Sequence, residues 1–232
     1  MRRFWKNASV VHNDDSWAIR LDDRPVNTPM RNELKLPNAV LADAVRAEWD
    51  MVDKVIDPAL MPMTGFANAA IDHVTADREG FITAIAAYGE NDALCYRAEA
   101  GTPLAERQEA MWEPWIGWAE KRFDSRYILV EGIIHQPQLA ESLAAFRDAI
   151  AARSNHELAA MAKLAHLSGS LIATLAIVEK AGSAETLWGV CCLDEVWQEE
   201  LWGEDHWATK NRNDRAREFM DAARYLELLD SD

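Results

Sequence analysis

At Pro37 the hydrophobic period of the chain changes from about 2 to about 3.6 residues, and this switch constrains the fold more than any single motif. Upstream, short alternating runs are broken by turn residues: ASVVH, NDDS, WAIRL, DDRPVNTP and ELKLP. Trp17, Ile19 and Leu21 lie two apart on one face of a strand, and Asn13 to Ser16 carries the residues of a hairpin turn. Downstream, NAVLADAVRAEWDMV sets Val40, Leu41, Ala44, Val45 and Trp49 along one helical stripe. Asn38 is placed to cap that helix, because its side-chain oxygen can accept from a free first-turn amide.

Helical spacing continues through TGFANAAIDHV, DREGFITAIAAYG, LAERQEAMWEPWIGWAEKRF, PQLAESLAAFRDAIAAR and the apolar run HELAAMAKLAHLSGSLIATLAIVEKAG. RYILVEGIIHQP is the exception: its β-branched residues predict a short strand or an extended connector. Two further helices close the chain, one ending near Gly203 and one running from about Thr209 to Leu229. The expectation is an α+β protein, with a small β-rich domain and a helix over 1–60 and a larger all-α domain over 61–232.

Charge follows the same division. The first 60 residues hold 9 basic and 10 acidic side chains and the remainder 15 and 29, so nearly all of the net charge of -15 sits in the helical part. Such a surface disfavours nucleic-acid phosphates and anionic membranes, and a partner should be neutral or locally basic. The amino terminus lacks the apolar run of a signal peptide, and no segment approaches the roughly 20 apolar residues of a membrane span. Cys95, Cys191 and Cys192 form no CxxC pair, and a bridge between neighbours is strained, which points to a reducing compartment. The expected location is the bacterial cytoplasm, or the mitochondrial matrix for a processed eukaryotic form.

Motifs for common chemistries are missing. Neither GxxxxGK[ST] nor GxGxxG occurs, and GxSxG has only a distant echo in LSGSL, where Ser168, Gly169 and Ser170 read as small residues permitting close helix packing. None of the six histidines has a glutamate three residues before it, and HExxH is absent, so neither a di-metal carboxylate centre nor a zinc site is expected. No cofactor is expected. Carboxylate acid/base chemistry is harder to set aside, because two acids need only converge in space; Asp194, Glu195 and Glu199 are the pairings to consider.

Those acids belong to LDEVWQEELWGED, Leu193 to Asp205, with six carboxylates and two tryptophans in thirteen residues. On a helix, Leu193, Val196, Trp197 and Leu201 share a stripe that can bury, while Glu195, Glu199 and Trp202 follow another side. Like charges four apart repel and an outward tryptophan leaves apolar area wet, a combination suited to a surface completed by a second protein. Trp112, Trp115 and Trp118 sit three apart, the spacing of a core stripe, with Pro114 expected near a helix start at Trp112. Trp49 is read first as packing and second as a binding residue.

Six segments in order, RRFWKNASV, IRLDDRPVNTP, VLADAVRAEWD, IDPALMPMTGFANAAIDHV, DALCYRAE and LDEVWQEELWGED, resemble the assembly chaperones of the F1 part of ATP synthase that hold the free α subunit before it joins β. The resemblance runs from Arg3 to about Arg224. Two positions depart from the family pattern: Asp23 stands in the DDRPV turn where glycine is common, and Gly65 replaces a basic residue. The resemblance implies no catalysis, no cofactor and a monomer when free, whose partner is the F1 α subunit. It also implies partner binding by Asp194, Glu195, Gln198, Trp202, Gly203, Glu204 and Asp205, with Trp49 a further candidate.

Overall fold

The computed structural model describes residues 2–231. In chain order the elements are strands β1 (Ala8–Asn13), β2 (Ser16–Leu21), β3 (Arg24–Pro25) and β4 (Lys35–Leu36), then helices α1 (Ala39–Met51), α2 (Pro62–Ala69) and α3 (Arg78–Glu90). There follow β5 (Tyr96–Arg97), α4 (Pro103–Phe123), β6 (Val130–Glu131), α5 (Ala140–Ala151), α6 (Asn155–Ser168), α7 (Leu171–Val178), α8 (Ala184–Cys191), α9 (Leu193–Trp202) and α10 (His206–Leu229). The class is α+β, with a small β region first and helices after it. Two compact units result: one holds residues 2–78 with Ser154–Ala160 and residues 221–231, and the other holds Glu79–Arg153 and Met161–Met220. A sequence read in order drew its line between 60 and 61, and it had no means of showing that two later segments return to the first unit.

In the first unit β1 and β2 form a hairpin in the register Ala8 opposite Leu21 to Asn13 opposite Ser16. Its two-residue turn puts Asp14 at φ 47°, in the left-handed region that aspartate tolerates better than most residues. β3 and β4 also pair with β2. In the next turn the left-handed residue is Asp22, φ 53°, and not Asp23. The Asp22 carboxylate accepts from the amides of Asn7 and Lys6 at 3.0 and 3.1 Å, and these bonds hold it below the usual carboxylate range. α1 lies over β1, β2 and β4, and Leu41, Ala42 and Val45 are buried, as are Ile19 of β2 and Leu36 of β4. Asn38 caps it as expected, accepting from the Leu41 amide at 2.8 Å.

α2 is fastened to α1 by a buried carboxylate. Glu48 accepts from the amides of Met63 and Thr64 at 2.7 and 2.8 Å and from the Thr64 hydroxyl at 2.6 Å, which satisfies free donors at the start of α2. Burial nevertheless raises its pKa. Gly65, on α2, faces open space. The returning segments dock here through Tyr225, whose ring packs on Phe66 and whose hydroxyl lies 2.6 Å from His156 Nδ1. Burial depresses the His156 pKa to about 4, so the neutral ring can accept that hydrogen bond.

The second unit is built round α7, every residue of which is buried, flanked by α4 and α8. The apolar run that read as one helix breaks here: Gly169 takes φ 66° and ends α6, and the Ser170 hydroxyl accepts from the Ala173 amide at 3.1 Å to cap α7. Ser168 and Ser170 therefore punctuate two helices instead of easing the packing of one. Asp92 is fully buried and also serves the α7 terminus, accepting from the Ile172 amide at 2.8 Å and from the Leu94 amide at 3.0 Å. Burial pushes its carboxyl up to about 6.

The tryptophan stripe of α4 packs within this unit. Trp112 is buried and its indole donates to the Val190 carbonyl at 2.9 Å, and Trp118 meets Phe123 edge to face. Trp115 occupies the space beside Gly182, where an added Cβ would fall 2.4 Å from the ring. α4 starts earlier than expected, at Pro103 behind a Thr102 cap, which leaves Pro114 inside the helix on an exposed side. RYILVEGIIHQP contributes only β6, parallel to β5.

Candidate partner-binding corner

α9 and α10 meet at the three-residue corner Gly203–Asp205, and the local sequence dictates the bend. Gly203 adopts φ 89°, a conformation that disfavours any side chain, and its amide donates to the Glu199 carbonyl at 2.9 Å to close α9. Asp205 opens α10, its carboxylate accepting from the Ala208 amide at 2.8 Å. Between the helices runs an open groove of about 440 Å³ lined by Glu195, Gln198, Glu199, Trp202, Gly203 and Glu204, with Asp205, Ala208 and Arg212.

The lower acids are answered by the chain itself. Glu195 and Glu199 were expected to repel each other on an outward face; instead each faces an arginine of α10. Both Glu195 oxygens accept from Arg215 at 2.7 and 2.6 Å, and Arg215 also lies over the Trp188 ring at 5.5 Å. Glu199 accepts from the Thr209 hydroxyl at 2.8 Å and from Arg212 at 2.5 Å, and these partners, Thr209 first, hold its carboxyl below the usual range. Glu200 pairs with Arg107 at 2.5 Å, which lowers its pKa in the same way. Asp194 accepts from Gln108 Nε2 at 2.8 Å. Acid/base chemistry here would need a carboxyl raised toward neutrality, and Glu199 is shifted the other way.

Toward the tip this neutralisation ends. Glu204 makes no ion pair among the described residues, and Lys210, the first lysine of α10, is paired with Asp214 at 2.7 Å. Leu193 is buried and Val196 and Trp197 are half-buried, as their stripe implied, with Arg107 lying over Trp197 at 5.7 Å. Leu201 departs from the expectation and is 58% exposed. Trp202 is 80% exposed and Trp207, on the first turn of α10, 77%.

Of the sequence candidates, Glu195, Gln198, Trp202, Gly203, Glu204 and Asp205 therefore line one groove, while Asp194 turns aside to Gln108. Trp49 belongs to the other compact unit, where it packs edge to face on Trp5 at 5.4 Å. Sequence reasoning missed Trp207, although a tryptophan five residues after Trp202 across a Gly-Glu-Asp turn was a usable signal. It also missed the arginines Arg212 and Arg215, the first two of the three in RNDRAR. Among the described residues no group of histidine, cysteine or carboxylate side chains could hold a metal ion.

The family model for the ATP12 chaperone protein matches residues 2–120, just over half of the chain. The chain belongs to the ATP12 chaperone family. The six segments thus resembled the right group, the assembly chaperones of F1-ATPase. Among the relatives, protein atp12, mitochondrial, from Schizosaccharomyces pombe is 23% identical over 214 residues, covering 87% of this chain and 74% of that protein. The crystal structure of Atp12 from Paracoccus denitrificans superposes with a TM-score of 0.94 at 35% identity, over 98% of each chain. A protein of Agrobacterium tumefaciens matches at 0.93 and 36%, covering 98% of this chain and 86% of that one. The family model's match ends before the acidic corner, whereas the structural likeness to the Paracoccus ATP12 protein spans nearly the whole chain.

Proposed function

We propose that this ATP12 family member holds the unassembled F1 α subunit and keeps it from aggregating until it joins β, and that the α9–α10 corner is where it does so. The family acts in ATP synthase assembly. The observation supporting the site is the corner's composition: Leu201, Trp202 and Trp207 stand exposed beside acids that the chain leaves unneutralised. A lone exposed apolar residue is ordinary on a protein surface, but indoles at one bend next to uncompensated charge match the anchor-and-rim pattern of a binding surface.

The chemistry required is modest. A subunit without its neighbours exposes apolar area that associates with further copies. A chaperone has to cover that area better than another exposed copy does, and then give way to the larger native interface. Contact through a single helical corner suits the weak end of interface sizes, below about 1,200 Å², which favours release. In this reading Gln198, Trp202, Gly203, Glu204 and Asp205 meet the client, while Glu195 ties α9 to α10 through Arg215 and Asp194 ties α9 to α4 through Gln108. Trp49 acts in packing. No helix among the described residues is long and apolar enough to cross a membrane.

Co-expression with separate F1 α and β subunits tests this. The expected result is that α stays in solution and elutes with this chain while β does not. Retention of β, or of neither subunit, would overturn the assignment.

A further inference from the structure

We infer that the exposed face formed by Leu201, Trp202 and Trp207 takes a client segment in which an arginine or lysine stands beside an apolar side chain. This rests on the reading of the corner as the client site and adds the chemistry that the client must present there, together with a role for Trp207.

Charge decides the class of segment. Arg107, Arg212 and Arg215 answer Glu200, Glu199 and Glu195, and the answering cations stop at that level. Beyond it, Glu204 has no ion pair among the described residues, and Asp205 gives one carboxylate oxygen to the Ala208 amide. The nearby Lys210 is committed to Asp214. The tip is therefore net negative and carries two indoles, each more than three-quarters exposed. An acidic segment would be repelled, and a purely apolar one would desolvate these carboxylates with nothing in return. A guanidinium or ammonium can lie over an indole face within about 6 Å and pair with a carboxylate at the same time.

Space agrees with charge. The open groove of about 440 Å³ is lined by Trp202 together with Glu204 and Asp205, so a basic side chain entering it meets an indole and carboxylates at once. The apolar neighbour of that side chain would then cover Leu201. Trp202 and Trp207 are five residues apart, so their Cα atoms lie at most about 18 Å apart even in extended chain, within reach of one short segment.

The test has two arms on the same preparations. Overlapping peptides spanning the F1 α subunit are probed with the intact chain, then with Trp207→Ala and with the double variant Glu204→Gln, Asp205→Asn. Trp207 is exposed, and asparagine caps a helix as well as aspartate does, so both variants should keep the fold, which circular dichroism and a urea titration check. The bound peptides should pair a basic with an apolar residue. Replacing arginine by citrulline, raising the ionic strength, or using either variant should weaken binding at least about tenfold. In the second arm, co-elution of the whole α subunit should fall with the same variants. Selection of acidic or purely apolar peptides, indifference to citrulline, or full retention of α by Trp207→Ala would overturn the inference. Should no peptide bind, retention of whole α by the variants decides it alone. Failure of the unaltered chain to hold α would instead overturn the function proposed above.

Discussion

Glu195 separates two ways in which an acidic residue can matter at a binding corner. Its carboxylate meets Arg215 through both oxygens at 2.7 and 2.6 Å, but the side chain is 45% exposed. Ion pairs of such exposure contribute about 0–1 kcal/mol, so Glu195→Gln should cost less than about 1 kcal/mol of stability, a fall of about 2–4 °C or less in Tm for a chain of this size. Glu195→Lys differs in kind. Two unit charges 4 Å apart repel by about 4 kcal/mol at an effective dielectric constant of 20, and after the side chains swing into water a cost of about 1–2 kcal/mol should remain. That cost falls on the seam between α9 and α10. If Glu195 holds the seam, the glutamine variant should keep its affinity for the α subunit within about fivefold, and the lysine variant should lose stability and binding together. If Glu195 itself grips the client, truncating that charge should cost about 2–5 kcal/mol of binding, at least about thirtyfold, with Tm barely moved. Urea titration gives the stability and suppression of α-subunit light scattering gives the affinity. A stable Glu195→Gln protein that has lost binding more than about thirtyfold would refute the seam argument.

Other residues yield sharper tests of the fold. Because burial pushes Asp92 up to about 6 from an ordinary 3.8, the folded protein holds this proton more tightly than the unfolded chain. Stability from this group is thus greatest below about pH 4 and falls by about 3 kcal/mol as the pH rises to about 6 and beyond. Asp92→Asn should be less stable overall, since one of the Ile172 and Leu94 amides loses its acceptor, but the stability difference from the unaltered protein should shrink by about that amount between pH 4 and 7, measured by urea titration across the range. Glu48→Ala strands three donors at the start of α2 and should cost about 3 kcal/mol in the same assay. Gly182→Ala drives a methyl into Trp115 and should cost about 1–3 kcal/mol, with a change in tryptophan fluorescence that an inert substitution would not produce.

What a sequence can disclose follows from how local each interaction is. The β1–β2 hairpin, the Asn38 cap and the Gly203 stop were legible because each is settled within four residues by backbone conformation and a nearby donor. The break between α6 and α7 was half-legible: Gly169 and Ser170 carry the stop and start signals, but the apolar run on either side masked them. Pro114 misled because proline usually marks a first turn, whereas Thr102 and Pro103 had already supplied one. The return of 221–231 to the first unit rests on contacts such as Tyr225 on Phe66 and Asn38 donating to the Leu228 carbonyl across 190 positions, with 154–160 joined to that segment by His156 and Tyr225, and no periodicity records them.

The corner shows the same limit from the functional side. Acids four apart on α9 looked like a repelling face because their answering cations lie 13 and 20 residues later, on the next helix. Once Arg212 and Arg215 are placed, the acid run divides into a lower part that fixes the angle between α9 and α10 and an upper part with charge to spare. An acidic run by itself would have been a solvated helix face. Here the lower pairs join α9 to α10 below the bend, and Trp202 and Trp207 stand exposed beyond it. A surface kept exposed in that way loses less conformational entropy when a client covers it, and can let go without unfolding. In the reading proposed above, reversible holding of an aggregation-prone subunit uses both properties, and severing both lower pairs together should weaken client binding by more than the roughly fivefold limit set for Glu195→Gln alone.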